Sequence, residues 1–325
     1  MKNIRWGIIG CGDVTEVKSG PALSKLDGSV LQMVMRRDEG KLVDYSQRHN
    51  VPEYSTDYMD LLTNPNIDAI YIATPPHMHC YYTCEAAKYK KIIYVEKPMA
   101  TTALDCRLMI KACRDEGVSL YTAYYRRGQD KFKTIKEILS SGKIGNVLSF
   151  SYLYSCNTPI FREDRNWLMD SSLAGDGLLY DIGSHMMDMA LFLLGDVKSA
   201  YGVSANQSGK FDVNDVTSGI IEFSSGVQGS VQLSFNAAKV RDEFVIMGDG
   251  GSVEFSVMSN DPVVLNIDGK ERVIKFDMLQ HVQMPFIKDI LADIRGAKIM
   301  DNEGLYGLRT QEVLEAFSTG KPLNY

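Results

Sequence analysis

Short apolar runs alternate with amphipathic segments over the first 122 residues, and this alternation restricts the possible folds more than any other feature of the chain. It is typical of βαβ units, in which helices cover both faces of a parallel sheet. The expected strands are 4–9, 30–35, 69–73, 92–95 and 118–122. The expected helices are 14–26 (interrupted at Gly20-Pro21), 39–49, 79–89 and 103–116. These elements predict an α/β Rossmann domain over residues 1–123.

Beyond residue 130 the pattern changes. A helix over 131–140 leads into a long strand over 147–154, and a further helix precedes a series of alternating segments. Those segments are 200–204, 216–223, 227–235, 243–247 and 252–256, and turn pairs such as Ser225-Gly226, Gly250-Gly251 and Asp268-Gly269 separate several of them. Two helices, near 285–294 and 304–317, end the chain. Residues 124–325 are therefore expected to form an α+β domain with an open, mostly antiparallel sheet.

Composition supports two ordinary globular domains. A length of 325 residues is long for one hydrophobic core, and the chain is 45% apolar and 23% charged. A net charge of −6 with scattered basic residues gives no reason to expect nucleic acid as a partner. No apolar run approaches the roughly 18 residues of a membrane span. The first apolar run is too short for a signal-peptide core, so a cytoplasmic location without membrane attachment is expected.

A glycine-rich turn, Gly10-Cys11-Gly12, directly follows the first strand and opens a helix at Asp13 and Val14. Gly10 permits the tight turn, and Gly12 allows the backbone to approach a pyrophosphate at the helix amino terminus. Thr15 occupies the position where a third small residue is usual. The strand before and the helix after favour dinucleotide binding over an ordinary glycine turn.

The end of the second strand carries Arg36, Arg37 and Asp38. An acid at this point binds the adenosine ribose hydroxyls of NAD, whereas arginine favours the 2′-phosphate of NADP. Two guanidiniums therefore favour NADP, while Asp38 keeps NAD as an alternative. The alternative explanation is two solvated surface arginines.

Six cysteines lie in the first half of the chain, without a paired C-x-x-C spacing, and are expected to be reduced thiols. Cys80 and Cys84 lie one helical turn apart, close to His77 and His79, which raises the question of zinc. No second pair of ligands stands nearby, so no metal site is expected.

Two further segments carry chemistry. Glu96-Lys97-Pro98 stands at the carboxyl end of a strand, where open α/β sheets bind ligands. The second segment, residues 174–188, contains Asp181 and His185 at i,i+4 on an expected helix and Asp188 a turn further on. Together with the glycine turn, these segments resemble the glucose–fructose oxidoreductase / inositol dehydrogenase / rhizopine catabolism (Gfo/Idh/MocA) family over nearly the whole chain.

The resemblance implies roles for particular residues. It places Lys97 beside the nicotinamide, counts Glu96 among the cofactor-binding residues, and makes Asp181 and His185 the residues that face the substrate. The loop after the third predicted strand resembles the stretch that lines the cofactor, and the segment 124–127 resembles the crossover between the domains. The cofactor-contacting residues implied by these two segments are Thr74, Pro75, His77, His79 and Arg126. The chain departs from the family pattern at Asp176, where a third consecutive glycine is common.

General chemistry points the same way. Hydride transfer from a secondary alcohol requires a base for the hydroxyl proton, and histidine suits this role because its ordinary pKa lies near neutrality. We therefore expect His185 to carry the proton, Lys97 to stabilise alkoxide charge or to act as the alternative base, and Asp181 to orient the substrate. The alternatives are a buried structural histidine and a structural Glu96–Lys97 ion pair. Arg162 and Arg165 are candidates for contacts with polar substrate groups or with another subunit.

The expected activity is that of an NADP-preferring dehydrogenase or reductase. The family resemblance implies a sugar, sugar derivative or polyol as the substrate. The open sheet of the second domain favours a homodimer or homotetramer. Two alternatives remain. Some family members hold NAD tightly and cleave glycosidic bonds through transient redox chemistry, and a non-catalytic ligand sensor would be expected to lack the lysine or the histidine.

Overall fold

A computed structural model of the chain describes residues 3–157 and 163–325. The chain forms two compact units that are not continuous in sequence. The first comprises Met1–Gln129 with Leu279–Leu308, and the second comprises Asp130–Met278 with Arg309–Tyr325. The division expected from the sequence, between residues 123 and 124, assigns everything after residue 123 to one domain, whereas residues 279–308 belong to the first compact unit.

The first unit is built on a parallel sheet of six strands. The strands are β1 (Ile4–Ile9), β2 (Ser29–Met35), β3 (Glu53–Ser55), β4 (Ala69–Ile72), β5 (Ile92–Val95) and β6 (Leu120–Thr122). Their order is β3-β2-β1-β4-β5-β6, so the direction of winding reverses between β1 and β4. A dinucleotide-binding crevice forms at such a reversal, outside the carboxyl ends of the strands.

Helices cover both faces of this sheet, as the alternation predicts. They are α1 (Asp13–Val17), α2 (Gly20–Lys25), α3 (Glu39–His49), α4 (Tyr58–Thr63), α5 (His79–Lys88) and α6 (Ala103–Glu116). The expected interruption of the first helix is present between Val17 and Gly20, and Gly20 lies so close to the preceding turn that a Cβ there would be 2.1 Å from the Thr15 carbonyl oxygen. The sequence missed β3 and α4, which are short and partly polar.

The second unit contains a sheet of nine strands. They are β7 (Val147–Ser155), β8 (Val197–Ala205), β9 (Val216–Phe223), β10 (Gln228–Ser234), β11 (Arg241–Gly248), β12 (Gly251–Phe255), β13 (Val263–Ile267), β14 (Lys270–Ile274) and β15 (Leu323–Asn324). The order is β14-β13-β12-β11-β7-β10-β9-β8-β15, and every pairing is antiparallel except that of β7 with β10. The expected open, mostly antiparallel sheet is confirmed, although β13, β14 and β15 were not foreseen.

Helices pack on one face of the second sheet. The second unit contains α7 (Asp130–Ser140), α8 (Ser171–Ala174) and α9 (Ser184–Leu194). Of the last two helices, α10 (Met284–Ala292) belongs to the first unit and α11 (Leu305–Thr319) lies mostly in the second. Phe132 of α7, Met187 of α9 and Phe317 of α11 share one apolar core with the strands. Within the described residues, no helix combines the length and the apolar character needed to cross a membrane.

Candidate active site

The glycine loop between β1 and α1 has the geometry of a close backbone approach. Gly10 has φ = 89°, and its amide and that of Cys11 donate to the Met35 carbonyl oxygen at 2.9 and 3.2 Å. A Cβ at Gly10 would lie 2.8 Å from Cγ2 of Thr74. At Gly12, by contrast, a Cβ would have no neighbour closer than 3.9 Å. The open space beside Gly12 fits a pyrophosphate.

Thr15, the unusual residue of the glycine motif, closes this loop. Its buried hydroxyl accepts from the Gly12 amide at 2.9 Å and donates to the Gly12 carbonyl at 2.7 Å. Asp13 and Val14 lie in the first turn of α1, where backbone N–H groups have no acceptor within the helix. The threonine therefore replaces close glycine packing with two hydrogen bonds.

The two arginines after β2 have different environments. Arg36 donates from Nη1 to the Cys11 carbonyl at 3.0 Å, which places its guanidinium over the glycine loop, whereas Arg37 is exposed. Asp38 caps α3, and its Oδ1 accepts from the Lys41 amide at 3.0 Å. That hydrogen bond, together with the nearby Lys41 and Arg36 charges, lowers the pKa of Asp38. The Asp38 carboxylate is thus hydrogen-bonded to the amino terminus of α3.

The loop after β4 brings Thr74 and Pro75 to the carboxyl edge of the sheet. His77 follows on a short 3₁₀ turn, Pro76–Met78, and is exposed. The buried Oγ1 of Thr74 has no hydrogen-bond partner among the described residues. Such an orphaned hydroxyl beside the glycine loop fits a polar ligand at this point.

His79, one of the residues expected to contact the cofactor, is fully buried. Its side chain has no exposed surface, and both ring nitrogens face backbone oxygens: Nε2 faces Thr74 at 2.8 Å and Nδ1 faces Pro98 at 3.0 Å. Burial lowers the pKa of this imidazole, against the effect of the carbonyls and of Glu96. His79 therefore ties the loop after β4 to the loop after β5 and has no surface for a direct ligand contact.

Glu96 and Lys97 stand directly after β5. The buried Glu96 carboxylate accepts from the Tyr71 hydroxyl at 2.5 Å, from Nε2 of Gln283 at 2.7 Å and from the Lys97 amide at 3.0 Å. It thus contacts the backbone of Lys97, and the structural ion pair considered from the sequence is not formed within the described part of the chain. The Lys97 side chain is half-buried.

Arg126 lies in the 3₁₀ turn Tyr125–Gly128, which follows shortly after the end of β6. Only 7% of its surface is exposed. Nη1 donates to the Tyr125 hydroxyl at 2.8 Å, and the guanidinium lies 5.1 Å from the centre of that ring. Its position is therefore set by an aromatic neighbour.

The histidine segment of the second unit is helical but not uniformly α-helical. Asp181 lies in a π-helical turn, Leu179–Gly183, and His185 lies in the first turn of α9. The expected single α-helix thus contains a wider turn, a feature that is common at functional sites. His185 and Asp188 are almost completely buried, whereas Asp181 is half-buried.

Asp176 explains the departure from the glycine-rich family pattern. Its Oδ1 accepts from the Asn214 amide at 3.0 Å, and its Oδ2 accepts from the Asn214 side chain at 2.8 Å. The carboxylate therefore anchors the loop that leads to Asp181. Of the remaining candidates, Arg162 and the side chain of Arg165 lie outside the described residues.

Sequence reasoning missed Tyr71 and Gln283, which hold Glu96. Tyr71 was assigned to a buried strand, and Gln283 immediately precedes α10, more than 180 positions from Glu96. No local pattern connects them. All six cysteines are free, and within residues 3–157 and 163–325 no three His, Cys, Asp or Glu side chains are grouped so as to hold a metal ion.

A parallel sheet with a reversed winding order, a glycine loop and a lysine at the carboxyl end of β5 are the features of a nicotinamide-dependent oxidoreductase. Comparison with known proteins agrees. Residues 4–124 match the model of the oxidoreductase family with the NAD-binding Rossmann fold, and residues 132–254 match a GFO/IDH/MocA C-terminal domain. The chain belongs to the Gfo/Idh/MocA oxidoreductase family, which confirms the resemblance.

Individual relatives support this conclusion. An oxidoreductase of Formosa agariphila, P35, is 37% identical over 88% of this chain and 89% of its own length. The 1,5-anhydro-D-fructose reductase of Ensifer adhaerens is 28% identical over 80% of this chain and 78% of its own. A structure of levoglucosan dehydrogenase with NADH and levoglucosan has a TM-score of 0.87 at 22% identity and covers 99% of each chain.

Proposed function

We propose that this enzyme is an NADP-preferring dehydrogenase or reductase that acts on a hydroxyl or ketone of a sugar, sugar derivative or polyol. The observation that carries the cofactor preference is the end of β2. Arg36 and Arg37 supply two cations there, while Asp38, the residue that would bind the ribose hydroxyls of NAD, caps α3. A 2′-phosphate is the ligand group that matches this arrangement.

The proposed division of roles follows the chemistry of the side chains. When bound, the nicotinamide accepts or supplies the hydride. His185 takes the proton from the reacting hydroxyl and returns it in the reverse direction. The Lys97 ammonium stabilises negative charge that develops on the reacting oxygen, and Asp181 accepts a hydrogen bond from the substrate. In the alternative assignment Lys97 is the base, and His185 stabilises the negative charge on the reacting oxygen.

The substrate class rests on the relatives. Their names specify an anhydrofructose and levoglucosan, which are both sugar derivatives. A screen of sugars, polyols and anhydrosugars with NADP⁺ and NAD⁺ tests this class directly. The expected outcome is reduction of the nicotinamide, measured as an increase in absorbance at 340 nm. A tightly retained nicotinamide together with hydrolysis of an aryl glycoside would instead identify a glycosidase with transient redox chemistry.

We further propose that the open face of the second sheet binds a second copy of the chain. Tyr201 and Ile220 are register partners on neighbouring strands, and both are exposed there, with Val203 beside them. A contiguous apolar surface of this kind is typical of a subunit interface. Closed symmetric pairing, as a dimer or within a tetramer, is the commonest way to cover such a face.

The cofactor proposal is tested by titrating the purified protein with NADPH and NADH and following energy transfer from protein to nicotinamide fluorescence. The wild type is expected to bind NADPH more tightly. The double variant Arg36→Ala, Arg37→Ala is expected to weaken NADPH binding at least about tenfold, the loss typical of a charged phosphate contact, while NADH binding changes little.

Arg114→Ala provides the control, because it removes an exposed arginine of the same unit that pairs with Glu303. It is expected to leave both affinities unchanged. A wild-type preference for NADH would overturn the arginine argument and leave the fold intact. Binding of neither nucleotide would contradict the cofactor proposal as a whole.

A further inference from the structure

Glu96 is a buried carboxylate held entirely by neutral donors. Only 6% of its surface is exposed, and its three hydrogen bonds come from a tyrosine hydroxyl, a glutamine amide and a backbone amide. Among the described residues, no lysine, arginine or histidine forms an ion pair with it. The molecule thus encloses a carboxyl group that forms no ion pair within the described residues, and burying such a group in its charged form is costly.

The partners of Glu96 are themselves fixed. Gln283 donates to Glu96 through Nε2 and accepts from the Tyr94 hydroxyl at 2.7 Å through Oε1. Tyr71 and Tyr94 stack with their ring centres 4.8 Å apart. Gln283 and the Lys97 backbone can only donate at these positions, so both oxygens of Glu96 are used as acceptors.

The place of this charge follows from the strand order. The glycine loop and the arginines lie at the ends of β1 and β2, on one side of the reversal, whereas Glu96 follows β5, on the other side. A dinucleotide spans the crevice at the reversal, so its adenosine half belongs with β2 and its nicotinamide half with β4 and β5. Glu96 therefore lies on the side of the nicotinamide.

We propose that the buried Glu96 carboxylate shifts the affinity of the site towards the oxidised, positively charged nicotinamide relative to the neutral reduced ring, with Tyr71 and Gln283 as positioning residues. The two forms of the cofactor differ at the ring by a unit of charge, so an uncompensated anion in a low-dielectric environment acts on one form and not on the other. This inference rests on the proposed nicotinamide site but not on the choice between NAD and NADP.

The test compares the dissociation constants of NADP⁺ and NADPH, and of NAD⁺ and NADH, for the wild type and for Glu96→Gln by calorimetry. Glutamine preserves the size of the side chain and removes the charge. Glu96→Gln is expected to weaken binding of the oxidised cofactor about tenfold more than binding of the reduced cofactor. This order of magnitude is set by the attraction of unit charges across a protein interior. Glu96→Asp, which keeps the charge, is expected to retain most of the wild-type ratio.

Tyr121→Phe is the matched control, because the buried Tyr121 hydroxyl also donates to a carboxylate of the same unit, Oδ2 of Asp293, at 2.8 Å. In this variant the ratio of the dissociation constants of the oxidised and reduced cofactor should equal that of the wild type. Equal weakening of both cofactor forms in Glu96→Gln would overturn the inference. If that variant does not fold, the wild type decides: NADP⁺ must bind more tightly than 2′-phospho-ADP-ribose, which lacks the ring. Binding of none of these nucleotides to the wild type contradicts the proposed function instead.

Discussion

The two sheets of this enzyme differ in how many of their faces are covered. In the first unit every residue of β4 is buried, because helices pack on both faces of the parallel sheet. In the second unit the residues of β9 alternate between buried and more exposed positions, since helices cover one face only. A sheet with helices on both faces can present ligand-binding groups only at the ends of its strands. A sheet with helices on one face also has a broad face open for contacts.

This difference explains where each unit carries its polar groups. In the first unit the glycine loop, Thr74, His79 and Glu96 all follow the carboxyl ends of strands, and His79 joins the loop after β4 to the loop after β5. In the second unit the candidate residues Asp181 and His185 lie on a helical segment, and the open face carries the exposed apolar side chains of Tyr201, Val203 and Ile220. The first unit is thus built to hold a cofactor at one edge, and the second is suited to contribute a helix and a surface.

The largest expected effect concerns the division of chemistry between the units. Lys97→Met is expected to reduce kcat by about 1000-fold, and His185→Asn by at least about 100-fold, because each removes charge stabilisation or proton transfer at the reacting oxygen. Cofactor affinity should change little in both. Steady-state kinetics with the best substrate from the screen, combined with fluorescence titration, measures this. The exposed Lys88→Met is the control, and retained turnover in Lys97→Met would contradict the assignment.

The next effect concerns the hydrogen bonds that join the loops of the first unit. His79→Leu removes the imidazole between the Thr74 and Pro98 carbonyls, to one of which the neutral ring donates, and is expected to lower the free energy of unfolding by about 2 kcal/mol. His77→Leu, at an exposed position two residues earlier, should change it by less than about 0.5 kcal/mol. Urea denaturation compares the two variants. Equal stabilities would show that His79 does not join the loops.

The buried His79 also leads to a prediction for the dependence of stability on pH. Burial lowers the pKa of His79 below its ordinary value of 6.5, so the unfolded chain binds more protons than the native chain at and below that pH. Stability should therefore fall as the pH drops below 6.5, and His79→Leu should show a smaller fall. Melting temperatures measured between pH 5 and pH 8 test this, and parallel curves for both proteins would contradict it.

A further prediction addresses the open face. Ile220→Lys places a charge in the proposed interface and is expected to convert a dimer or tetramer into monomers at micromolar concentration in sedimentation. Leu104→Lys is a matched control on α6 of the first unit, because its exposure of 63% is close to the 62% of Ile220. It should leave the assembly intact. A wild type that sediments only as a monomer would remove the proposal.

The smallest effect concerns the glycine loop. Thr15→Val preserves the shape of the side chain but removes both hydrogen bonds to Gly12, at an expected cost of about 1–2 kcal/mol in unfolding free energy and a severalfold loss of cofactor affinity. Thr83→Val is the control, because that buried hydroxyl has no hydrogen-bond partner among the described residues. It should be neutral or stabilising. Equal effects of the two variants would show that the hydrogen bonds of Thr15 contribute nothing.

Sequence patterns predicted the elements that have strong periodicity. The strands Ile4–Ile9, Ile92–Val95 and Val216–Phe223 and the helices Glu39–His49 and Ala103–Glu116 have the bounds that the patterns indicate. Short or polar elements were missed. β3 has only three residues, and every residue of β14 is exposed or half-buried, so neither carries an apolar pattern.

The sequence by itself determined the Rossmann fold of the first unit, the class of the second sheet and the family, because these follow from local periodicity and from motifs that are contiguous in the chain. Tertiary structure alone decided that residues 279–308 belong with the first unit and that Gln283 holds Glu96. It also decided that His79 is buried between two loops and that Asp176 anchors Asn214. Each of these depends on contacts between residues far apart in the chain, and such contacts leave no periodic signal in the segments that make them.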